Sequence, residues 1–253
     1  MRYFLLIVTC TLVACTSNSR KLIWSDEFNS ASQPDRAYWN YQLGDGCPDL
    51  CGWGNNEEQV YTQDVTNVRI EDGKLIIEAI KKDSIWTSAR LTTRGKMNFT
   101  YGRIEFSAKL PSGTGTWPAL WMLGEAIDTQ GWPACGEIDV MEHVGRNPGV
   151  VQSALHSQSS FGDTENKGDT QVETFDAEFH VYGANWLENK IEFFVDDKIF
   201  YTYQPELLNE ETWPFQHPFY VIMNIAMGGG LGGPIDPALT KARMEIDYVR
   251  IYE

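Results

Sequence analysis

Apolar and polar residues alternate along much of this chain with the two-residue period of a half-buried β-strand. In residues 101–110, Ile104, Phe106, Ala108 and Leu110 fall on one face; Arg103, Glu105, Ser107 and Lys109 fall on the other. Residues 68–80 read as two strands joined through Glu71, Asp72, Gly73 and Lys74, a strong turn signal. Residues 190–203 repeat that arrangement around Asp196 and Asp197, and 179–186, 219–227 and 243–252 predict three further strands. No ten-residue stretch carries a helical period; only 205–211 are expected to form a short turn of helix. Many short strands with polar turns predict an all-β fold, an antiparallel β-sandwich or jelly roll. With no repeat or internal linker, a single domain is expected over residues 21–253.

The first residues break this pattern. Arg2 is followed by an apolar run over 3–13, too short for a permanent membrane span. The run ends in Leu12-Val13-Ala14-Cys15, which resembles a bacterial lipobox. The expectation is a signal peptide over 1–14, a lipidated Cys15 and a short polar tether to residue 20. The protein would then be lipid-anchored in the bacterial cell envelope, touching membrane only through that anchor. An ordinary signal peptide cut nearby is the alternative.

Of the five cysteines, Cys10 would leave with the signal. Cys47 and Cys51, spaced Cys-Pro-Asp-Leu-Cys, suit a local disulfide in an oxidising compartment. Cys135 reads as a small buried thiol. The formal net charge of −15 comes with no basic cluster, which argues against nucleic acid and against sulfated polysaccharides. A neutral polymer meets no such repulsion. Nine Trp and eleven Tyr supply both core and sugar-stacking surface.

The candidate chemistry lies in Gly136-Glu137-Ile138-Asp139-Val140-Met141-Glu142. Three acids in an apolar strand are costly to desolvate unless chemistry, metal or pairing requires them. In a regular strand Glu137 and Asp139 share a face and Glu142 points away. One β-bulge would return Glu142 to their face. Two glutamates about 5–5.5 Å apart suit a retaining glycosidase, one as nucleophile and one as acid/base. From spacing alone, a divalent-cation site or a solvated edge strand stays open. Trp117, Trp121 and Trp132 just upstream favour a sugar-binding cleft.

At this motif the chain resembles glycoside hydrolase family 16 in its laminarinase-like form, with the extra residue before the second glutamate. Leu22-Ile-Trp-Ser-Asp-Glu-Phe28, Gly52-Trp-Gly-Asn-Asn-Glu57, Ser88-Ala-Arg-Leu91, Gly115-Thr-Trp-Pro-Ala-Leu-Trp-Met-Leu123 and Ile246-Asp-Tyr-Val-Arg-Ile-Tyr252 are similar to family blocks in family order. The resemblance implies a two-sheet jelly roll of the concanavalin A-like lectin and glucanase type, with substrate in its concave face. It implies an endo-acting, retaining β-1,3-glucanase with a Glu137 nucleophile and a Glu142 acid/base. Asp139 would orient Glu137.

It also implies cleft roles for Trp117, Trp121, Trp132 and Arg90, and rim contacts from Asn55, Asn56 and Glu57. His156, in the next strand, is a further cleft candidate, whereas His143 is expected to face the opposite side. Catalysis is expected to need no cofactor. A structural Ca²⁺ would be held by Glu27, the Gly73 carbonyl and Asp247. A neutral β-glucan is the expected partner and a monomer the expected state. Galactan or mixed-linkage glucan as substrate, and a non-catalytic glucan-binding protein, are the competing readings.

Overall fold

The computed structural model describes residues 20–29 and 32–253. The expected signal peptide, Cys15 and nearly all of the tether lie outside the described residues. Two sheets pack face to face. One orders its strands Lys167–Gln171, Val150–His156, Glu137–His143, Thr116–Gly124, Phe219–Met227, Arg90–Thr92 and Asn40–Tyr41, all antiparallel. The other runs Lys198–Tyr203, Ile191–Val195, His180–Trp186, Gly102–Lys109, Lys241–Tyr252, Lys74–Lys82, Ile85–Ser88 and Gln59–Tyr61. Leu22–Asp26 adds to Lys241–Tyr252, and Val68–Glu71 to Lys74–Lys82. The antiparallel jelly-roll sandwich expected from the strand pattern is the observed fold.

The core lies between the sheets. Leu120, Met122, Ile138, Val151, Leu155, Val221 and Met223 reach it from the seven-stranded sheet. Ile104, Phe106, Ala108, Tyr182, Trp186, Ile246 and Val249 meet them from the other. Alternation therefore leaves the outer face of the seven-stranded sheet to a second set of side chains. Near one end of the central strands Thr116–Gly124 and Phe219–Met227 lies a separate small apolar cluster of Leu123, Cys135, Tyr220 and Ile222. Cys135 is a free, buried thiol, pushed up to about 12 mainly by burial.

Residues 205–211 form bends and turns, not the expected turn of helix. The Asn209 side chain accepts hydrogen bonds from the backbone N–H groups of Glu211 and Thr212, a local alternative to helical bonding. The short helices are elsewhere, including Ile127–Gln130 and the 3-10 turn Pro214–Gln216.

Candidate active site

The acidic strand Glu137–His143 has a neighbour on each side, and both ladders slip by one residue at the same place. Against Thr116–Gly124, Asp139 faces Trp121 and Met141 faces Leu120, so Val140 has no opposite number. Against Val150–His156, Asp139 faces Ala154 and Glu142 faces Gln152. The Ser153 hydroxyl donates to the Val140 carbonyl at 2.7 Å and secures the bulge. Ile138, Val140 and Met141 all enter the core. Glu137, Asp139 and Glu142 consequently emerge together on the outer face.

Glu142 sits between two donors. Trp117 Nε1 donates to its Oε1 at 2.9 Å, and Gln152 Nε2 to its Oε2 at 3.5 Å. Its opposite residue on the tryptophan strand is Ala119, which leaves the carboxyl uncrowded. His156 lies opposite Glu137; its Nε2 is 3.7 Å from Glu137 Oε1 and 3.1 Å from Asp139 Oδ2. Glu137 keeps 17% of its side chain exposed, against 6% for Asp139. The nucleophile candidate thus opens to the cleft, whereas Asp139 lies deeper.

Burial raises all three carboxyls. Glu137 is pushed up to about 8, by burial first and the Asp139 charge second. Asp139 is pushed well above the ordinary carboxylate range by burial and then by the Glu142 charge. Glu142 is raised by burial, opposed by the Trp117 hydrogen bond and by His156. Three charges cannot coexist so close in a site this dry, so the triplet retains protons at neutral pH. A proton on Asp139 removes the second cause acting on Glu137. His156 and Arg90, which both favour the ionised form of Glu137, then pull it back toward ionisation, and the reactive form is the one in which Glu137 has lost its proton. Glu142 keeps its proton and can give it to a leaving oxygen.

The remaining wall is aromatic and polar. Trp121 Nε1 donates to Asn224 Oδ1 at 2.8 Å; Asn224 donates to the Tyr61 hydroxyl, which donates to Glu57. Glu57 also accepts from Gln59 at 2.6 Å and from Asn55. Asn56 is left-handed, with φ 56°. The expected rim loop is therefore tied to the cleft by a chain of hydrogen bonds. Arg90 is buried, its guanidinium 4.6 Å from the Trp53 ring and 4.8 Å from the Trp121 ring. Its Nε has no hydrogen-bond partner among the described residues. Trp132 is 46% exposed and leans on the His156 ring at 5.8 Å.

Every expected catalytic and cleft residue thus lies on or beside one face. Trp53, Tyr61, Gln152 and Asn224 were not anticipated there. Asn224 had a sequence signal, as the lone polar side chain in the run Phe219–Met227. Gln152 shares the parity of His156 along its strand. Trp53 lay within the block Gly52–Glu57, but its place against Arg90 depends on a turn in which Gly52 and Trp53 both adopt positive φ.

The structure contains the Cys47–Cys51 disulfide. His143 faces inward as expected, its ring 4.6 Å from Phe175. The residues suggested for Ca²⁺ fit it poorly. Both Glu27 oxygens are taken by Arg250, at 2.9 and 2.8 Å. The Gly73 carbonyl and Asp247 alone supply too few ligands for that ion. Within the cleft, Glu137, Asp139 and His156 offer one ligand atom each, all within 4.8 Å of one another. The same carboxylates are the candidates for acid–base and nucleophilic chemistry.

The family model "Glycosyl hydrolases family 16" matches residues 53–250. The chain is 42% identical to a beta-glucanase of Rhodothermus marinus, over 97% of this chain and 91% of that protein. It is 37% identical to a glucan endo-1,3-beta-glucosidase of Cryptopygus antarcticus, over 90% of each. Among solved structures, a laminarinase from Flavobacterium sp. UMI-01 superposes with a TM-score of 0.89 at 47% identity, covering 92% of this chain and all of that one.

Proposed function

This chain belongs to glycosyl hydrolase family 16, and we infer that it is an endo-acting, retaining glucanase that cuts β-1,3-linked glucan. The observation that carries this reading is the single bulge at Val140, which turns Glu137 and Glu142 to one open groove. Glu137 attacks the anomeric carbon while Glu142 protonates the departing glycosidic oxygen. The C–O bond breaks as the glycosyl–Glu137 ester forms. Glu142, now a carboxylate, takes a proton from water, and that water displaces Glu137 to release the sugar with its configuration retained. No cofactor enters either step.

The glucanase names of the relatives, the neutral-polymer preference implied by a charge of −15, and the tryptophan-lined cleft all support β-glucan as substrate. A reducing-sugar assay across laminarin, lichenan, agarose and carrageenan tests it. Release from laminarin with retained anomeric configuration is expected; no release from laminarin overturns the reading. Leu12-Val13-Ala14-Cys15 supports secretion and lipid anchoring at Cys15. Incorporation of labelled fatty acid into the wild type, and its loss in Cys15→Ala, tests that part.

A further inference from the structure

Beyond His156 the cleft continues into an element the catalytic chemistry does not use. Phe161 is 52% exposed, yet it is held edge-on to Trp132, with centroids 5.5 Å apart and planes at 82°. Its loop is fixed by hydroxyl groups. Ser160 and Thr164 share a hydrogen bond of 2.9 Å, Thr164 donates to the Leu155 carbonyl, and Ser160 accepts from Glu165 N–H. A single exposed aromatic residue is ordinary. Two aromatic rings on ordered loops, continuous with a catalytic centre through His156, suit the apolar faces of sugar rings.

The loops that carry these two rings also bound a cavity of 260 Å³, lined in part by Gln130, Gln158, Glu210 and His217. Ser159 N–H donates to the Glu211 carbonyl and closes one side. Side-chain amides and a carboxylate are the donors and acceptors that sugar hydroxyls require. The ring pair gives no flat platform. Its two faces stand nearly at right angles, which suits a chain that turns from one unit to the next, as a β-1,3-glucan does, better than a flat ribbon.

We propose that Phe161, held beyond Trp132 and near the polar cavity, forms a distal subsite that binds a glucosyl unit of the neutral β-glucan farther from the bond being cut than the unit Trp132 meets. The subsite rests on the glucanase reading and deepens it, because Phe161 then sets how strongly the enzyme prefers long or turning chains. The test measures KM for β-1,3-gluco-oligosaccharides of increasing length with the wild type, Phe161→Ala and Phe161→Tyr. In the wild type KM falls as the chain becomes long enough to reach Phe161. Phe161→Ala should shrink that long-to-short KM ratio about five- to tenfold, and Phe161→Tyr should restore it. An unchanged ratio in Phe161→Ala, with laminarin still cleaved, overturns the subsite and leaves the glucanase reading standing. Failure of the wild type to cleave laminarin at all overturns both.

Discussion

Trp117 holds Glu142 by a 2.9 Å hydrogen bond from its indole N–H to the carboxylate Oε1. The two residues lie on adjacent strands, and only the bulge between Asp139 and Glu142 brings them to one face. The indole donor favours the charged form of an acid that must begin the cycle protonated.

Trp117→Phe removes that donor and keeps most of the ring. The Glu142 pKa rises further, so the protonated acid survives to higher pH. The alkaline limb of the kcat/KM profile should move upward by about half to one pH unit. A limb that stays in place or moves downward would show that Glu142 is not the acid.

Glu137→Gln should lower turnover by at least about 10⁴-fold while leaving oligosaccharide binding measurable. Its stability should change in the opposite sense. The folded pKa of about 8 lies above the ordinary value of 4.5, so the folded wild type binds the extra proton. Its stabilising contribution is complete below about pH 4.5 and is lost as pH rises through 8. Gln carries no such dependence. Glu137→Gln is therefore expected to exceed the wild type by roughly 1–3 kcal/mol at pH 8 and to lose that advantage near pH 4. Denaturant melts at the two pH values check this.

Reduction of Cys47–Cys51 frees the segment leading into Trp53, the ring beneath Arg90. Closing so short a loop contributes no more than about 2 kcal/mol, so the fold should persist. Laminarin KM is expected to rise several-fold with kcat less affected. Kinetics with and without a thiol reductant, and with Cys47→Ser/Cys51→Ser, measure the split.

Chelator should leave turnover unchanged. In the proposed mechanism the Glu137, Asp139 and His156 cluster acts through protons and a covalent ester, with no cation taking part. Activity that vanished in EDTA and returned with a divalent ion would assign the acids to a metal centre instead.

The chain's own residues dictated the sandwich. The period of two in 101–110 and the turn residues at 71–74 and 196–197 are local properties that need no distant partner. The spacing of Glu137, Asp139 and Glu142 likewise announced a bulge, because only an extra residue reconciles three acids with one apolar face. The helical turn expected at 205–211 failed for an equally local reason, the Asn209 side chain bonding its neighbours' N–H groups.

Tertiary structure decided where the bulge falls, which Ser153 secures from the next strand at Val140. It also decided which side chains meet the acids. Trp53 reaches Arg90 through left-handed turn geometry, and Asn224 joins Trp121 to Tyr61 across 163 residues of chain. Proton sharing among the three carboxyls depends on burial by both neighbouring strands. A linear sequence fixes the parity of a side chain along its own strand; the strand that will lie beside it is chosen by the packing of the whole sandwich.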